Sequence, residues 1–539
     1  SFAAIPKILQ SGYKYAYWAD PQSGFADLSH ASTAIFSGTT AAASSTNVSG
    51  VPAGSWIIIK VAWTGAAGAA QTISTNLTPA AAGANWWLSE NDADNLKTTA
   101  GNNLTSPVYN DTSITADGAF SNVKPGTLGY SETGLTDHVV GVAPFVFVKS
   151  SGAPSASSAT GVTLTTGSGN TTATVSGTTG IVVGSVLSGT STAIPQNTYV
   201  TAVNSSTSIT LSAAPTASVA VSENFTYNGI TNITPKQYQL IQNPGLPLSF
   251  FTGSPNDAGT TIVPFGRDEN AGQRVNAFAE TGYGIFTPTN NYQPTYDFSS
   301  NKVTSIKVIT KGSGYTSAPT VSFTYPGTGS GVTATANLTG NQVTSITVTG
   351  SGSNISVAPL VVFSGGGGSG ATASAAVGGA IITDISLWPA STVNGTSYPV
   401  GDSGWAYGTD EAFALNTPVQ AGGPASIGAP VYFVGFLTPG DAASVNSGNN
   451  TLTYNGVPYT TANVQNGTYT FWSYEHLYRH TSATGIAASF VDGLALQVYT
   501  QDSFDASLLP KTIQVQSLQV GRAVEGGQVS YGNTFTSFH

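Results

Sequence analysis

The chain has 539 residues, a net charge of −10 at pH 7 and only 7% charged residues, against about 25% in ordinary soluble proteins. The acidic balance excludes the basic stripe of a nucleic-acid-binding protein, and no apolar run reaches the roughly 18 residues of a membrane span. The absence of cysteine excludes disulfides and thiolate metal sites. The length exceeds one hydrophobic core and predicts about two to four domains.

The composition favours an exposed, exported protein. The sequence begins at Ser1 without Met, as expected of an extracellular or cell-surface chain after signal-peptide removal. Cysteine and methionine, the most easily oxidised residues, are both absent, which suits a long-lived extracellular material. Weak charge repulsion per unit area makes self-association easy, although any exported protein could share this composition. Asn-x-Ser/Thr acceptors leave glycans possible; examples are Asn47, Asn76, Asn103 and Asn232.

Residues 1–150 predict the first part of an α/β core. The segments 56–63 (WIIIKVAW) and 139–148 (VVGVAPFVFV) are almost continuously apolar. Such runs are typical of strands buried on both faces of a sheet.

Residues 151–228 predict an inserted all-β module. Short alternating Ser/Thr/Val segments are separated by Gly, Asn and Ser turns, and Glu223 is the only charged residue. The α/β type of sequence resumes over 229–300. There, Thr234 and Pro235 predict a helix start, and 269–281 predicts a helix whose apolar face is formed by Val275, Phe278 and Ala279.

Residues 301–380 contain an internal repeat. The segment VTSI occurs at 303–306 and again at 343–346, and the sequences that follow each copy are similar. Two units of about 40 residues predict a paired β-module. Mixed sequence returns over 381–539, with a helix predicted near 486–500 and a strand-like, weakly charged tail at 513–539.

No motif in the chain predicts catalysis. The segment 401–404 (GDSG) resembles the nucleophile segment of trypsin-like proteases, but Trp405 follows where Gly is required. No histidine has a context that suggests a base oriented by a carboxylate. The glycine-rich segment 365–370 lacks the Lys of a phosphate-binding loop. We therefore predict that the chain is not an enzyme and that it has no catalytic residues and no cofactor.

Two segments contain residue types that can bind metal ions. Glu475, His476 and His480 are predicted to lie on one helix, but the Glu precedes the first His, unlike the zinc-binding HExxH pattern. Asp92 and Asp94 lack the spacing of a calcium loop. We predict no metal site in either segment.

The segment 266–274 (GRDENAGQR) is the best candidate for a ligand site. A strand leads through Gly266 into a helix. Free backbone N–H groups at the helix start, together with Arg267 and Arg274, would form an anion seat. The alternative is a helix-capping turn with a surface ion pair.

This segment resembles the anion loop of the phosphate-type periplasmic solute-binding proteins, whose pattern is Gly-Arg-Asp/Ser, two residues, then Ser-Gly-Thr-Arg. The resemblance covers about 300 residues outside both inserts. It implies an α/β two-lobed periplasmic-binding-protein-like core with two inserted all-β modules, β-rich overall. The other matching segments, in family order, are 116–123, 139–148, 233–245 and 466–478.

The resemblance implies four ligand residues, if the anion site survives: Ser121, Arg267, Asp268 and Arg274. Three departures argue that it is eroded. Ala271 and Gln273 replace the family's hydroxyl donors, and Asn122 replaces an acid. Each lost donor costs about 1–3 kcal/mol.

The family's glycine-rich first anion loop, with the strand before it, is not evident at the chain start. A sheet that lacks this strand has an unpaired edge that a strand of another chain can fill. The tail would be the donor strand, through Val524, Val529, Tyr531, Phe535 and Phe538.

The leading hypothesis is a structural subunit of a self-assembling extracellular filament or surface layer, whose partners are copies of itself. One alternative is a solute-binding protein for phosphate or another small oxyanion. A second is an adhesin that binds glycans through exposed aromatic residues of the repeat, such as Tyr315 and Tyr325.

Overall fold

The computed structural model is β-rich, with 42% strand and 18% helix. The chain forms two compact units. The first comprises Ser1–Gln293, Leu387–Asn416 and Val431–His539, and the second comprises Pro294–Ser386 and Thr417–Pro430. The structure describes residues 9–10, 12–19, 31–40, 51–77, 115–242, 245–297, 302–355, 358–378, 380–393, 395–420, 422–501, 513–532, 535 and 538.

Within these described residues, the strands are β1 (Lys14–Ala19), β2 (Ala31–Thr39), β3 (Trp56–Ala62), β4 (Gly118–Ser121), β5 (Leu135–Pro144), β6 (Val146–Lys149), β7 (Ser157–Thr166), β8 (Thr172–Val175), β9 (Val186–Gly189), β10 (Val200–Ser205), β11 (Ser208–Leu211), β12 (Val219–Tyr227), β13 (Asn232–Ile233), β14 (Leu246–Pro247), β15 (Thr261–Pro264), β16 (Tyr292–Asp297), β17 (Lys302–Ser313), β18 (Thr320–Thr324), β19 (Ser330–Thr339), β20 (Gln342–Ser353), β21 (Leu360–Ser364), β22 (Ser369–Gly378), β23 (Ile381–Leu387), β24 (Ser391–Val393), β25 (Thr396–Tyr398), β26 (Val431–Leu437), β27 (Thr453–Tyr454), β28 (Trp472–His480), β29 (Val520–Gly521) and β30 (Ser530–Tyr531). The α-helices of the same residues are α1 (Ala66–Thr75), α2 (Pro235–Ile241), α3 (Ser249–Thr252), α4 (Gly272–Thr281), α5 (Gly408–Asn416), α6 (Pro439–Ala442), α7 (Thr461–Gln465) and α8 (Gly485–Gln501).

Among the described residues, the larger unit contains three sheets of three or four strands besides its insert. Strands β1, β2 and β3 form an antiparallel meander. A second sheet has the order β4-β28-β5 and is antiparallel. A third has the order β14-β15-β26-β6, in which only β15 and β26 are parallel.

The apolar run 139–148 connects two of these sheets. It is divided at Phe145 between β5, which pairs with β28, and β6, which pairs with β26. Nearly every side chain from Val140 to Val148 is buried, as the sequence predicts. The run 56–63 also forms a strand, β3, but its predicted burial on both faces is wrong. Strand β3 lies at the edge of its meander, so its side chains are only half-buried and Trp56 is 48% exposed.

The first insert forms a six-stranded antiparallel sheet in the order β10-β11-β8-β7-β12-β9. Alternate residues of its strands form a separate apolar core that includes Leu164, Val200, Ile209 and Phe225. The alternation of apolar and polar residues therefore correctly predicts an all-β module. Its one charged residue, Glu223, is buried beside Gly189, and burial raises the pKa of that carboxyl.

Two predicted helices, α2 and α8, are present where the local sequence indicates. Thr234 forms a capping box with Gln237 at the start of α2, followed by Pro235. Helix α8 spans the predicted apolar segment. Helix α4 begins at Gly272, three residues later than predicted, because Glu269 and Asn270 belong to the loop before it.

The helix predicted to carry Glu475, His476 and His480 is wrong, because these residues lie on β28. Aromatic side chains fit a buried strand well, and β28 is the central strand between β4 and β5. In a strand the two histidines are about 13 Å apart along the chain, too far to share a zinc ion.

The smaller unit contains a six-stranded sheet in the order β17-β22-β21-β18-β19-β20. Strands β17 to β19 belong to the first repeat and β20 to β22 to the second. The sheet order reads the same after exchange of the repeats, which gives the module a pseudo-twofold axis between β18 and β21. Both repeats contribute to one core that includes Val303, Val343, Ile306 and Ile346.

The prediction that the tail forms strands is confirmed only for two short strands that pair with each other. In the described part of 513–539, β29 and β30 have two residues each, and Val515–Ser517 forms a 3-10 turn.

Candidate anion site

The predicted anion loop pairs with the GDSG segment. The Gly266 carbonyl accepts a hydrogen bond from the Trp405 N–H at 3.0 Å, and the Trp405 carbonyl accepts one from the Asp268 N–H at 3.1 Å. A Cβ atom on Gly404 would lie 2.2 Å from the Gly266 carbonyl oxygen. Glycine at position 404 therefore permits this close backbone approach, and GDSG has a structural role here.

Arg274 is neutralised inside the chain. Its Nη2 forms a buried ion pair with the Asp402 carboxylate, and its Nη1 donates to the Asp402 carbonyl at 3.3 Å. The Asp402 carboxylate also accepts the Thr289 N–H at 3.1 Å. The Arg274 guanidinium lies 5.0 Å from the centre of the Phe278 ring. Both terminal nitrogens of the Arg274 guanidinium are therefore bonded to Asp402.

Arg267 is also buried and bonded to the backbone. Its Nε donates to the Trp405 carbonyl at 2.8 Å and its Nη2 to the Ala406 carbonyl at 2.6 Å. Glu411 is completely buried nearby. Burial raises the pKa of Glu411 to about 8, although the charge of Arg267 and the Phe436 N–H bonded to Glu411 oppose the shift.

Two acidic residues follow Arg267 in the loop. Burial raises the pKa of Asp268 to about 7, although the charges of Arg267 and Arg274 oppose the shift. The Glu269 carboxylate accepts hydrogen bonds from the hydroxyls of Ser403 at 2.7 Å and Ser391 at 3.0 Å. Sequence reasoning did not identify these two serines as partners, because they lie more than 120 residues further along the chain.

Ser121 lies near the loop, but its hydroxyl is already used. It is within 2.9 Å of the Ala66 carbonyl and 2.7 Å of the Val123 carbonyl, and it accepts the Val123 N–H at 3.0 Å. The neighbouring Asn122 Oδ1 is buried and has no hydrogen-bond partner among the described residues. It lies against the start of α4, where a Cβ on Gly272 would be 1.8 Å away.

A second helix start, missed by sequence reasoning, meets this loop. Strand β3 leads through Gly65, with φ +75°, into α1. The Asn270 carbonyl accepts the N–H groups of Ala67 at 2.9 Å and Gly68 at 3.4 Å. A glycine-containing turn between a strand and a helix thus exists at 56–75. The sequence signal for it is the apolar run followed by Thr-Gly-Ala-Ala-Gly at 64–68, well inside the chain.

Arg267, Asp268 and Arg274 therefore lie close together, whereas Ser121 is linked to them only through Asn122, which lies against the start of α4. The polar groups of Ser121, Arg267 and Arg274 bond largely to the chain itself. A helix start normally offers its N–H groups to an anion, and at α1 two of these groups bind the Asn270 carbonyl instead. The arrangement is chemically suited to hold the loop in place.

The tail docks on the larger unit, to which it belongs. Arg522 is buried, donates to the carbonyls of Trp472 at 2.8 Å and Thr470 at 2.6 Å, and forms an ion pair with Glu280 at 3.2 Å. The Glu525 carboxylate accepts the Lys124 N–H at 2.9 Å.

The five tail residues predicted for assembly have different environments. Phe535 packs against Tyr474, with ring centres 4.9 Å apart, and Phe538 stacks on His138 at 5.1 Å. Val529 is partly buried. Val524 is 50% exposed and Tyr531 94% exposed, so these two present apolar surface to solvent.

Further sequence predictions concerned metal sites, membrane spans and exposed aromatic residues. In the parts of the chain that the structure describes, no group of three or more His, Asp or Glu side chains could hold a metal ion, and no helix is long and apolar enough to cross a membrane. Asp92 and Asp94 lie outside the described residues. The expectation that Tyr315 and Tyr325 are exposed is wrong. Both rings pack against the module core. Tyr315 is 4% exposed, and the Tyr325 hydroxyl accepts a hydrogen bond from the Val332 N–H at 2.9 Å.

Comparison of the sequence with protein-family models and with curated proteins gives no match.

Proposed function

We propose that this protein is a structural subunit of a self-assembling extracellular filament or surface layer. In this proposal the subunit has a two-lobed α/β core, similar to phosphate-type solute-binding proteins, that carries two β inserts. The core is supported by β5 and β6, which connect two sheets within one apolar run. The parallel pair β15 and β26, followed by the anion-type loop and α4, also fits such a core.

The observation that carries the proposal is the internal use of the binding groups. Arg274 pairs with Asp402, Arg267 donates to two backbone carbonyls, and the start of α1 binds the Asn270 carbonyl. An incoming anion would have to displace these partners, and breaking a buried ion pair costs about 3–5 kcal/mol. A scaffold whose site is occupied by its own residues is better suited to a structural role than to solute capture.

The exposed tail side chains are candidate contacts between subunits. Val524 lies between the docked residues Arg522 and Glu525, and Tyr531 lies on β30, which pairs with β29. They can contact a neighbouring copy while the docked part of the tail stays in place. Because Phe535 and Phe538 pack on Tyr474 and His138 of the same chain, strand donation by the tail would require this end to detach first.

Two measurements on the purified full chain test the proposal. Electron microscopy and sedimentation should detect filaments, sheets or large oligomers, whereas calorimetry with phosphate should detect no binding at millimolar concentration. The double variant Val524→Ser, Tyr531→Ser should assemble less, whereas Phe286→Ser, at a residue 75% exposed elsewhere, should assemble like the parent. A chain that stays monomeric at high concentration and binds phosphate tightly would reject the proposal.

A solute-binding function is the second candidate, and one observation favours it. The starts of α1 and α4 lie close to Asn122, whose buried Oδ1 has no partner among the described residues. Micromolar phosphate binding that is lost in Arg274→Ala would establish this candidate instead.

A further inference from the structure

The repeat module carries all its charge on one strand. Between residues 301 and 380 the charged residues are Lys302, Lys307 and Lys311, and all three lie on β17. The module therefore carries +3, while the whole chain carries −10, so the rest of the chain carries −13. This separation of charge is large for a chain with so few charged residues.

The three lysines are available at the surface. Each is exposed, and none forms an ion pair with a described residue. A strand rises about 3.3 Å per residue, so Lys302 and Lys311 lie about 30 Å apart along β17. Lys307 is paired with the exposed Ser374 on the outer face, whereas Lys311 is paired with Ala371, on the face that carries the core, near the end of the strand. The outer face beside it is uncharged and rich in hydroxyls; Thr310 and Thr372 are hydrogen-bonded to each other there.

The second repeat provides an internal comparison. Strand β20 is the counterpart of β17, has the same length and lies at the other end of the sheet order. Its residues at the positions of the three lysines are Gln342, Thr347 and Ser351. Lysine on a terminal strand often prevents unwanted strand pairing, but β20 has the same place in the sheet without any charge. The fold therefore does not require the lysines.

We infer that β17 is an electrostatic docking site for the acidic surface of a second copy of this chain. The inference rests on the proposed self-assembly and names the surface that takes part in it. Charge complementarity identifies the partner, because every copy brings a cationic strand and an otherwise acidic body. Complementary charges of this kind mainly set the orientation and the rate of encounter.

The test compares three full-length chains. The first is the parent. The second has Lys302→Gln, Lys307→Thr and Lys311→Ser, which are the residues that the second repeat carries at these positions. The third has arginine at all three positions and keeps the charge. Circular dichroism and thermal unfolding establish that each variant is folded.

Sedimentation and light scattering then measure association between 0.01 M and 1 M salt, over which the screening length falls from about 30 Å to about 3 Å. The parent and the arginine variant should associate more weakly as salt rises. The uncharged variant should associate at least about tenfold more weakly at low salt, with little response to added salt.

Each remaining outcome decides a different question. If the uncharged variant associates like the parent, the docking site is wrong and self-assembly stands. If the parent never associates, the proposed function itself fails. If the parent, but not the uncharged variant, binds heparin while its copies stay apart, the strand binds acidic glycans and our inference is overturned.

Discussion

Gly404 is the residue on which the pairing of two distant loops depends. Its Cα lies so close to the anion-type loop that a Cβ would be 2.2 Å from the Gly266 carbonyl oxygen and 2.5 Å from the Arg267 carbonyl carbon. Backbone atoms cannot turn aside as a flexible side chain can, so a methyl group here must move one of the two segments. Arg267 and Arg274 bond to the same segment, so that movement would loosen their contacts as well.

We therefore expect Gly404→Ala to lower the free energy of unfolding by about 1–3 kcal/mol, as overpacking does in cores. Urea unfolding measures the change. Gly259→Ala is the matched control, because an added Cβ there meets nothing within 4 Å and the backbone φ is not positive. The control should be unchanged or slightly more stable. Equal effects of the two substitutions would contradict the close approach at Gly404.

Glu411 predicts a pH dependence of stability. Its folded pKa is about 8, raised from an ordinary value of 4.5 by burial. Between these two pH values the folded state binds more protons than the unfolded chain. The stabilising contribution of Glu411 to the free energy of unfolding is therefore fully present below about pH 4.5. It is lost as the pH rises to about 8, and the free energy of unfolding falls by at most about 1.4 kcal/mol per pH unit.

The variant Glu411→Gln should remove this loss while an amide oxygen still accepts the Phe436 N–H. Its stability relative to the parent should then increase steadily from pH 5 to pH 8 in urea titrations. Parallel curves for the two proteins would show that Glu411 titrates normally in the folded chain.

At the scale of elements, the repeat module illustrates interlocked pairing. Strand β17 of the first repeat pairs with β22 of the second, and β19 of the first pairs with β20 of the second. The central contact joins β18 to β21, one from each repeat. Neither repeat alone contains the partner of its longest strand, β17 or β20, so both repeats are needed to complete the sheet.

We expect a peptide of residues 302–378 to fold and a peptide of residues 302–339 to remain unfolded at low concentration. Short hairpins without a completed sheet are marginal in water. Circular dichroism and the dispersion of amide proton resonances distinguish the two states. A folded monomeric single repeat would contradict the interlocked pairing.

The same scale shows where sequence reasoning works. Alternation predicts the β inserts, and Thr234 with Pro235 predicts the start of α2, because both signals depend on neighbours in the chain. The prediction of a helix for Glu475, His476 and His480 is wrong, because the aromatic residues around them are compatible with either element until the two flanking strands are known. Such a decision depends on tertiary pairing, which a local pattern does not contain.

At the scale of the whole molecule, the candidate site was predicted only in part. The sequence identified Arg267 and Arg274 from one segment. Their partners lie at Asp402 and Trp405, beyond an insert of more than 80 residues. No spacing rule connects segments so far apart. The occupation of the site by the chain itself therefore became visible only in three dimensions.

The palindromic strand order of the repeat module has one more consequence. Two identical chains of half the length contain every pairing that the sheet needs, so they can build it as a twofold dimer. Joining the halves in one chain replaces that encounter by an intramolecular one at high effective concentration. It also allows the two repeats to differ in sequence, because a side chain acquired by one repeat need not appear in the other. The tandem arrangement is what allows a symmetric framework to display a one-sided surface.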